Sequence, residues 1–112
     1  MKTLKKIENA CVPVALQYLA KASVEQTLSA CIFAGMDEED MRHAAKRLGL
    51  ALKAVDFAPM ELRKFTNVYP EGVYLLFTFD HALVLDNSKI VDPQNKKPPG
   101  LRRIIKSAWR VG

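Results

Sequence analysis

The sequence predicts one α+β domain spanning residues 1–112, with N-terminal helices packed on a small antiparallel sheet. Two patterns predict this fold: apolar residues recur at helical spacing in the first half, and short β-rich runs separated by turn residues follow Gly49. Helices followed by strands are typical of the α+β class. The length of 112 residues, with 49% hydrophobic and 26% charged residues, suits a single folded domain.

Three helices are predicted in the first half of the chain. The first covers residues 11–21, with Asn9 as its cap and Pro13 in the first turn, where the missing N–H costs nothing. The second covers residues 23–34 and the third residues 37–48, each followed by a glycine that can end a helix. The third opens with the acidic run DEED, which complements the helix dipole.

The helical spacing also predicts which side chains are buried. In the second helix the expected core face is Val24, Leu28, Cys31 and Ile32, and in the third it is Met41, Ala44, Ala45 and Leu48. His43 lies off the buried stripe and is expected at the surface.

The second half of the chain predicts strands. Residues 50–57 alternate between apolar and polar, and residues 59–65 resemble a helical turn carrying Leu62. Residues 73–79, 81–85 and 89–91 are predicted strands, and the run Asp86-Asn87-Ser88 predicts a tight hairpin between the last two. Residues 101–111 are expected to pack back on the core through Ile104, Ile105, Ala108 and Trp109.

Charge and composition exclude some classes of function. The net charge is +5, and from Pro93 onward there are six basic and no acidic residues. A basic cluster of this size is more often a solvated surface than a nucleic-acid site, and we see no aromatic stacking platform beside it, with Trp109 expected in the core. The sequence therefore argues against nucleic acid as a partner.

No apolar run approaches the roughly 18 residues of a membrane span, and the N-terminal segment is a poor secretory signal. We therefore expect a cytoplasmic protein without a membrane partner.

Cys11 and Cys31 each lie in a predicted helix, and no cysteine or histidine has the close paired spacing of a zinc site. Neither a disulfide, a metal nor any other cofactor is expected.

The cysteine at the start of the first helix is the main candidate for chemistry. A thiol nucleophile needs the thiolate form, which a helix N-terminus favours, and a histidine from another element to share the proton. His81 opens a predicted strand and Asp92 ends the next one. A turn centred on Asn87 and Ser88 pairs Asp86 with Lys89, and brings Asp92 diagonally across from His81 on one face. Taken singly, each residue also has an ordinary structural interpretation, as a core thiol, a structural histidine or turn chemistry.

Three stretches together resemble a known family. NACVPVALQYL, MRHAAKRLGLALKAV and FDHALVLDNSKIVDP, with a tryptophan near the C-terminus, resemble the papain-like cysteine peptidases, most closely the bacteriocin-leader (double-glycine leader) peptidase domains. The resemblance covers nearly the whole chain. It implies Cys11 as nucleophile, His81 as general base and acid, and Asp92 as the group that orients His81.

The family usually carries a glutamine about six residues before the cysteine, which completes the oxyanion hole. Here that position is Lys5, and no glutamine precedes Cys11. Lys5 or Asn9 is therefore the expected donor to the oxyanion. Loss of one such donor typically costs about 100-fold to 1,000-fold in turnover.

Two classes of function follow from this pattern. The first is a small cytosolic cysteine peptidase or related amide hydrolase that uses the Cys-His-Asp triad on a protein or peptide substrate. The second is a catalytically weak or inactive peptidase-like domain that binds a protein partner as a regulator or inhibitor, a role that would suit a phage or mobile element.

Overall fold

The computed structural model describes residues 11–31, 38–79, 81–91 and 102–111, with Cys11 described by its backbone alone. The elements in chain order are α1 (Cys11–Ala20), α2 (Val24–Ala30), α3 (Glu38–Arg47), β1 (Leu52–Ala54), β2 (Met60–Glu61), α4 (Leu62–Val68), β3 (Val73–Phe77), β4 (Ala82–Asp86), β5 (Lys89–Val91), β6 (Ile104–Ile105) and β7 (Ser107–Val111).

Five of the strands form one antiparallel sheet in the order β1-β7-β3-β4-β5. The strand latest in the sequence thus lies between the earliest strand and β3. The short strands β2 and β6 pair separately. The described residues therefore confirm an α+β fold with helices packed on an antiparallel sheet.

Both faces of the five-stranded sheet are buried, because side chains alternate along each strand. Leu75 and Val84 face α1 and α3, in a cluster that includes Leu16 and Met41. The intervening positions face α4 and the β2-β6 pair, in a second cluster. Its buried members are Leu62, Phe65, Tyr74, Leu76, Leu83, Leu85, Ile105 and Ala108. Burial on both faces explains why β3 and β4 are nearly continuous apolar runs.

The second helix is shorter than predicted and buries a different face. Its cap is Ser23, as expected. The backbone N–H of Gln26 donates to the Ser23 hydroxyl, and the backbone N–H of Ser23 donates to the Gln26 side-chain oxygen. It ends at Ala30 rather than residue 34, because Cys31 already has extended backbone angles. Its buried residues are Thr27 and Ala30, whereas Leu28 is 44% exposed. Cys31 is buried as predicted, and Ile32 lies outside the described residues.

The other boundaries move by a few residues. The first and third helices agree with prediction, and Gly49 follows α3 with a φ of +79° that suits glycine. The predicted strand over 50–57 shortens to β1, the strand over 73–79 ends at Phe77, and β4 begins one residue after His81. The predicted helical turn over 59–65 becomes β2 followed by α4.

The hairpin between β4 and β5 has the predicted register. Asn87 and Ser88 both have positive φ angles, which match the twist of a two-residue hairpin. Asp86 pairs with Lys89, Leu85 with Ile90 and Val84 with Val91. Asp92, the next residue, lies outside the described residues.

Among the described residues, no helix is long and apolar enough to cross a membrane.

The aromatic side chain of Phe65 is central to the second cluster. It is fully buried, and its ring centroid lies 5.4 Å from Phe57, 4.6 Å from Tyr69 and 5.5 Å from Tyr74. We expect Phe65→Ala to lower the free energy of unfolding by about 3–5 kcal/mol, because it leaves a large cavity between α4 and the sheet. Urea unfolding followed by circular dichroism measures this loss.

The matched control is Phe79→Ala, since Phe79 is 87% exposed. It should change stability by no more than about 0.5 kcal/mol. Similar losses in the two variants would contradict the assignment of Phe65 to the core.

Candidate active site

Helix α1 begins at Cys11 and buries one face against the sheet. Val12, Ala15 and Leu16 join the same cluster as Ala82 and Val84 of β4. Pro13 lies in the first turn, as predicted, where it leaves the helical hydrogen bonds intact. The backbone of Cys11 is therefore the N-terminal end of a helix that is anchored on β4.

The direction of α1 relative to β4 follows from a contact at its other end. The Tyr18 hydroxyl donates a 3.4 Å hydrogen bond to the carboxylate of Asp86, the last residue of β4. Partial burial raises the pKa of Tyr18, and the nearby Asp86 charge raises it further, so Tyr18 keeps its proton for this bond. Tyr18 lies about 10 Å further along the helix axis than Cys11. The bond places the later part of α1 beside the end of β4, which favours a position of Cys11 toward the end where β4 begins.

We call this end the histidine end of the sheet, defined by the aligned residues Phe77, Ala82 and Ser107 of β3, β4 and β7. His81 immediately precedes Ala82 and is half-buried. The backbone N–H of Thr78 donates to the carbonyl of His81 at 2.8 Å, and the Thr78 hydroxyl donates to the same oxygen at 3.2 Å. The backbone of His81 is therefore fixed on a rigid hairpin.

The orientation of His81 matters for any approach to Cys11. Ala82 faces α1, so in an uninterrupted strand the residue before it would face α4. His81 precedes the strand, where the chain turns back from β3. Its imidazole must extend round the end of the sheet to meet a thiol at the start of α1.

The rest of the predicted site falls outside what the structure describes. Lys5, Asn9 and Asp92 are not among the described residues, and neither is the side chain of Cys11. Of the predicted site, the structure therefore describes only the backbone of Cys11 and the position of His81. The predicted triad and oxyanion donors remain predictions.

Cys31 provides a contrast to a poised thiol. Its side chain is buried, and burial raises its pKa, although the nearby Arg47 partly opposes that rise. Arg47 also donates a 3.0 Å bond to the carbonyl of Ala30, at the end of α2. A neutral, buried thiol of this kind is an inert core residue.

The sequence did not reveal a polar cluster at the histidine end, on the face that α1 also covers. Ser107 and Trp109 both donate to one carboxylate oxygen of Glu38, the first residue of α3, and the indole bond is 2.9 Å long. The Arg42 guanidinium lies 5.6 Å from the centroid of the Trp109 ring. The alternation of Ser107 and Trp109 places both side chains on one strand face, which is the one local signal of this cluster.

One cavity of about 410 Å³ lies along α3 and β1. Another, of about 580 Å³, lies away from the histidine end, between the last turn of α1, α2 and Arg47. Its lining includes Lys21 and Leu48, at the end of the helices opposite to Cys11. Among the described residues, no group of three histidine, cysteine or acidic side chains could hold a metal ion.

No protein-family model, curated protein or solved structure matches the chain, so these comparisons assign it to no family.

The Glu38 cluster yields a stability prediction with a built-in reporter, since Trp109 is the one tryptophan of the sequence. Glu38→Ala should lower the free energy of unfolding by about 1.5–3 kcal/mol, because it removes the charged acceptor of two part-buried hydrogen bonds. The tryptophan emission should shift as the indole loses its partner. Urea unfolding and the fluorescence spectrum of the folded variant measure both effects.

Glu39→Ala is the matched control. Glu39 is also in the first turn of α3 and interacts with the same helix dipole, but it is exposed. It should leave the emission unchanged and cost well under half as much stability. If both variants changed stability and emission equally, Glu38 would act only through its charge at the helix N-terminus and not through its hydrogen bonds.

Proposed function

We propose that the protein is a small thiol hydrolase, a cysteine peptidase or related amide hydrolase, acting on a protein or peptide substrate. Its nucleophile is Cys11, its general base and acid is His81, and Asp92 orients His81. One observation carries the proposal: the Tyr18–Asp86 bond holds the later part of α1 beside the end of β4, which favours a helix N-terminus at the end of the sheet where His81 lies. The arrangement favours the papain-like form of the α+β fold.

The chemistry follows from these positions. The positive end of the α1 dipole lowers the pKa of a thiol at the first residue, and a neighbouring imidazole takes its proton. The Cys11 thiolate attacks the substrate carbonyl, and the imidazolium of His81 returns the proton to the leaving amine. Water, deprotonated by His81, then hydrolyses the acyl-enzyme and regenerates the thiol. Lys5 or Asn9 donates to the oxyanion in both steps.

The rigidity of the His81 backbone supports this role. Catalytic geometry must be held within about 0.5 Å, which requires that the backbone of the catalytic residue be fixed by its surroundings. His81 directly precedes β4 and is not part of the strand. The bonds from Thr78, which is itself buried, provide this fixation. The half-exposed position of His81 also leaves its proton within reach of solvent and substrate.

A second candidate is a peptidase-like domain that binds a protein partner without cleaving it. This candidate is favoured by Lys5, which stands where the family that the chain resembles has glutamine, because the oxyanion would lack its usual amide donor. The two candidates differ in the ionisation of Cys11.

Alkylation of the folded protein with iodoacetamide between about pH 5 and pH 9, with each cysteine quantified by peptide mass spectrometry, tests the proposal. An ordinary thiol has a pKa of about 8.5, so its labelling slows about tenfold for each pH unit below that value. We expect Cys11 to keep most of its reactivity at about pH 6, since it is a thiolate there. Cys31 should label slowly throughout, because it is buried with a raised pKa.

Two controls separate ionisation from exposure. Labelling of both cysteines in denaturant gives the pH profile of an ordinary thiol. In the folded protein, His81→Ala should shift the pH profile of Cys11 labelling toward that ordinary profile. His43→Ala is matched to this variant, since His43 is the other histidine of the chain and is exposed on α3. A folded Cys11 profile identical to the denatured one, or unaffected by His81→Ala, would refute the catalytic pair.

A further inference from the structure

Phe79 is the most exposed of the large hydrophobic side chains identified in the described residues. It is 87% exposed, and it lies in the two-residue connection between Thr78 and His81 at the histidine end. Short hairpin connections usually hold glycine, asparagine or aspartate. Phe79 contributes almost nothing to the core, so its aromatic surface is available for binding.

A lysine from another part of the chain lies against the ring. The ammonium nitrogen of Lys106 is 5.2 Å from the ring centroid of Phe79, within the range of a cation–π contact. The backbone N–H of Lys106 donates to the carbonyl of Phe77 at 2.8 Å, which fixes this segment at the end of β3. The charge and the ring are thus held together on structured backbone.

The neighbouring residues of β6 do not extend this surface. Ile105 is fully buried, whereas Ile104, which the sequence predicted in the core, is 49% exposed and lies opposite Glu61 of β2. We call the exposed ring of Phe79 and the ammonium group of Lys106 against it the Phe79 surface.

We propose that the Phe79 surface binds the substrate of the hydrolase as an extended peptide, in which an apolar side chain packs on Phe79 and an adjacent carboxylate pairs with Lys106. That the bound peptide is a substrate rests on the proposed function. Phe79 lies in the hairpin connection that leads into His81, so the peptide would bind at the histidine end of the sheet.

The charge of the surface argues for this occupant over two others. A second copy of the chain that bound through the same surface would bring two Lys106 ammonium groups together across the contact. Proteins that bind single-stranded nucleic acid stack successive bases on several aromatic rings, whereas here a single ring has a lysine over it. An acidic, apolar peptide matches both the charge and the apolar area.

Binding can be measured without turnover in a Cys11→Ala background. The probe is a fluorescein-labelled peptide with one phenylalanine followed by two glutamates in a glycine-serine frame, and the readout is fluorescence anisotropy. Matched peptides replace the phenylalanine with serine, or both glutamates with lysines. We expect the apolar-acidic peptide to bind at least about tenfold more tightly than either, because an aromatic anchor and its charge partner dominate such contacts.

Two variants test the surface itself. Adding Phe79→Ala should weaken binding about tenfold or more, and adding Lys106→Glu should weaken it several-fold and remove its salt dependence. The matched controls are Val68→Ala, an exposed apolar residue on α4, and Lys53→Glu, an exposed lysine on β1, neither of which should matter. Circular dichroism verifies that every variant is folded.

The outcomes separate this inference from the proposed function. If thiol labelling identifies the catalytic pair but Phe79→Ala leaves peptide binding unchanged, the Phe79 surface is not the substrate site. If labelling fails while binding depends on Phe79 and Lys106, the surface binds peptide but the peptide is not a substrate. Tighter binding of a short oligothymidine than of the apolar-acidic peptide, lost in Phe79→Ala, would overturn the proposal in favour of nucleic acid.

Discussion

The packing of α1 on β4 is the constraint on which the rest of the structure depends. Ala15 and Ala82 are both fully buried in the cluster between these elements, and their small side chains allow the helix to approach the strand closely. The larger Leu16 and Val84 fill the space beside them. Because β4 is the neighbour of β3, this contact also sets where the helices lie over the sheet.

That same contact determines the chemical possibilities at the histidine end. Helix α3 begins there, since Glu38 at its start bonds to Ser107. The α3 terminus is occupied by its own acidic residues, which satisfy its dipole. The first turn of α1 carries no acidic residue. The α1 dipole is therefore not offset within its own first turn, as that of α3 is.

Local features of the fold could be predicted from the sequence, and non-local ones could not. Asn87 and Ser88 specify a turn, and the turn alone fixes the register of β4 against β5. The capping box at Ser23 is equally local. The predicted end of α2 was wrong, because helix propensity extends past Cys31 whereas the backbone of this buried residue is already extended. The bond between Glu38 and Trp109 joins residues 71 positions apart, which no short-range pattern encodes.

The same limit applies to the candidate site. Cys11 and His81 could be singled out by residue type and by their position at the start of elements. The exposure of Phe79 could not, because residues 73–79 form one continuous β-rich pattern and the strand ends at Phe77 only through its pairing with Ala82 and Ser107. A side chain expected in the sheet therefore lies in solvent.

The place of β7 has a consequence for how the protein is made. This strand is synthesised after all the others, yet it lies between β1 and β3 and pairs with both. Until residues 107–111 have left the ribosome, β1 has no neighbour in the sheet and β3 presents an open edge. Folding of the complete sheet must therefore wait until β7 has been synthesised, and the nascent chain depends on the β3-β4-β5 hairpins and their helices in the meantime.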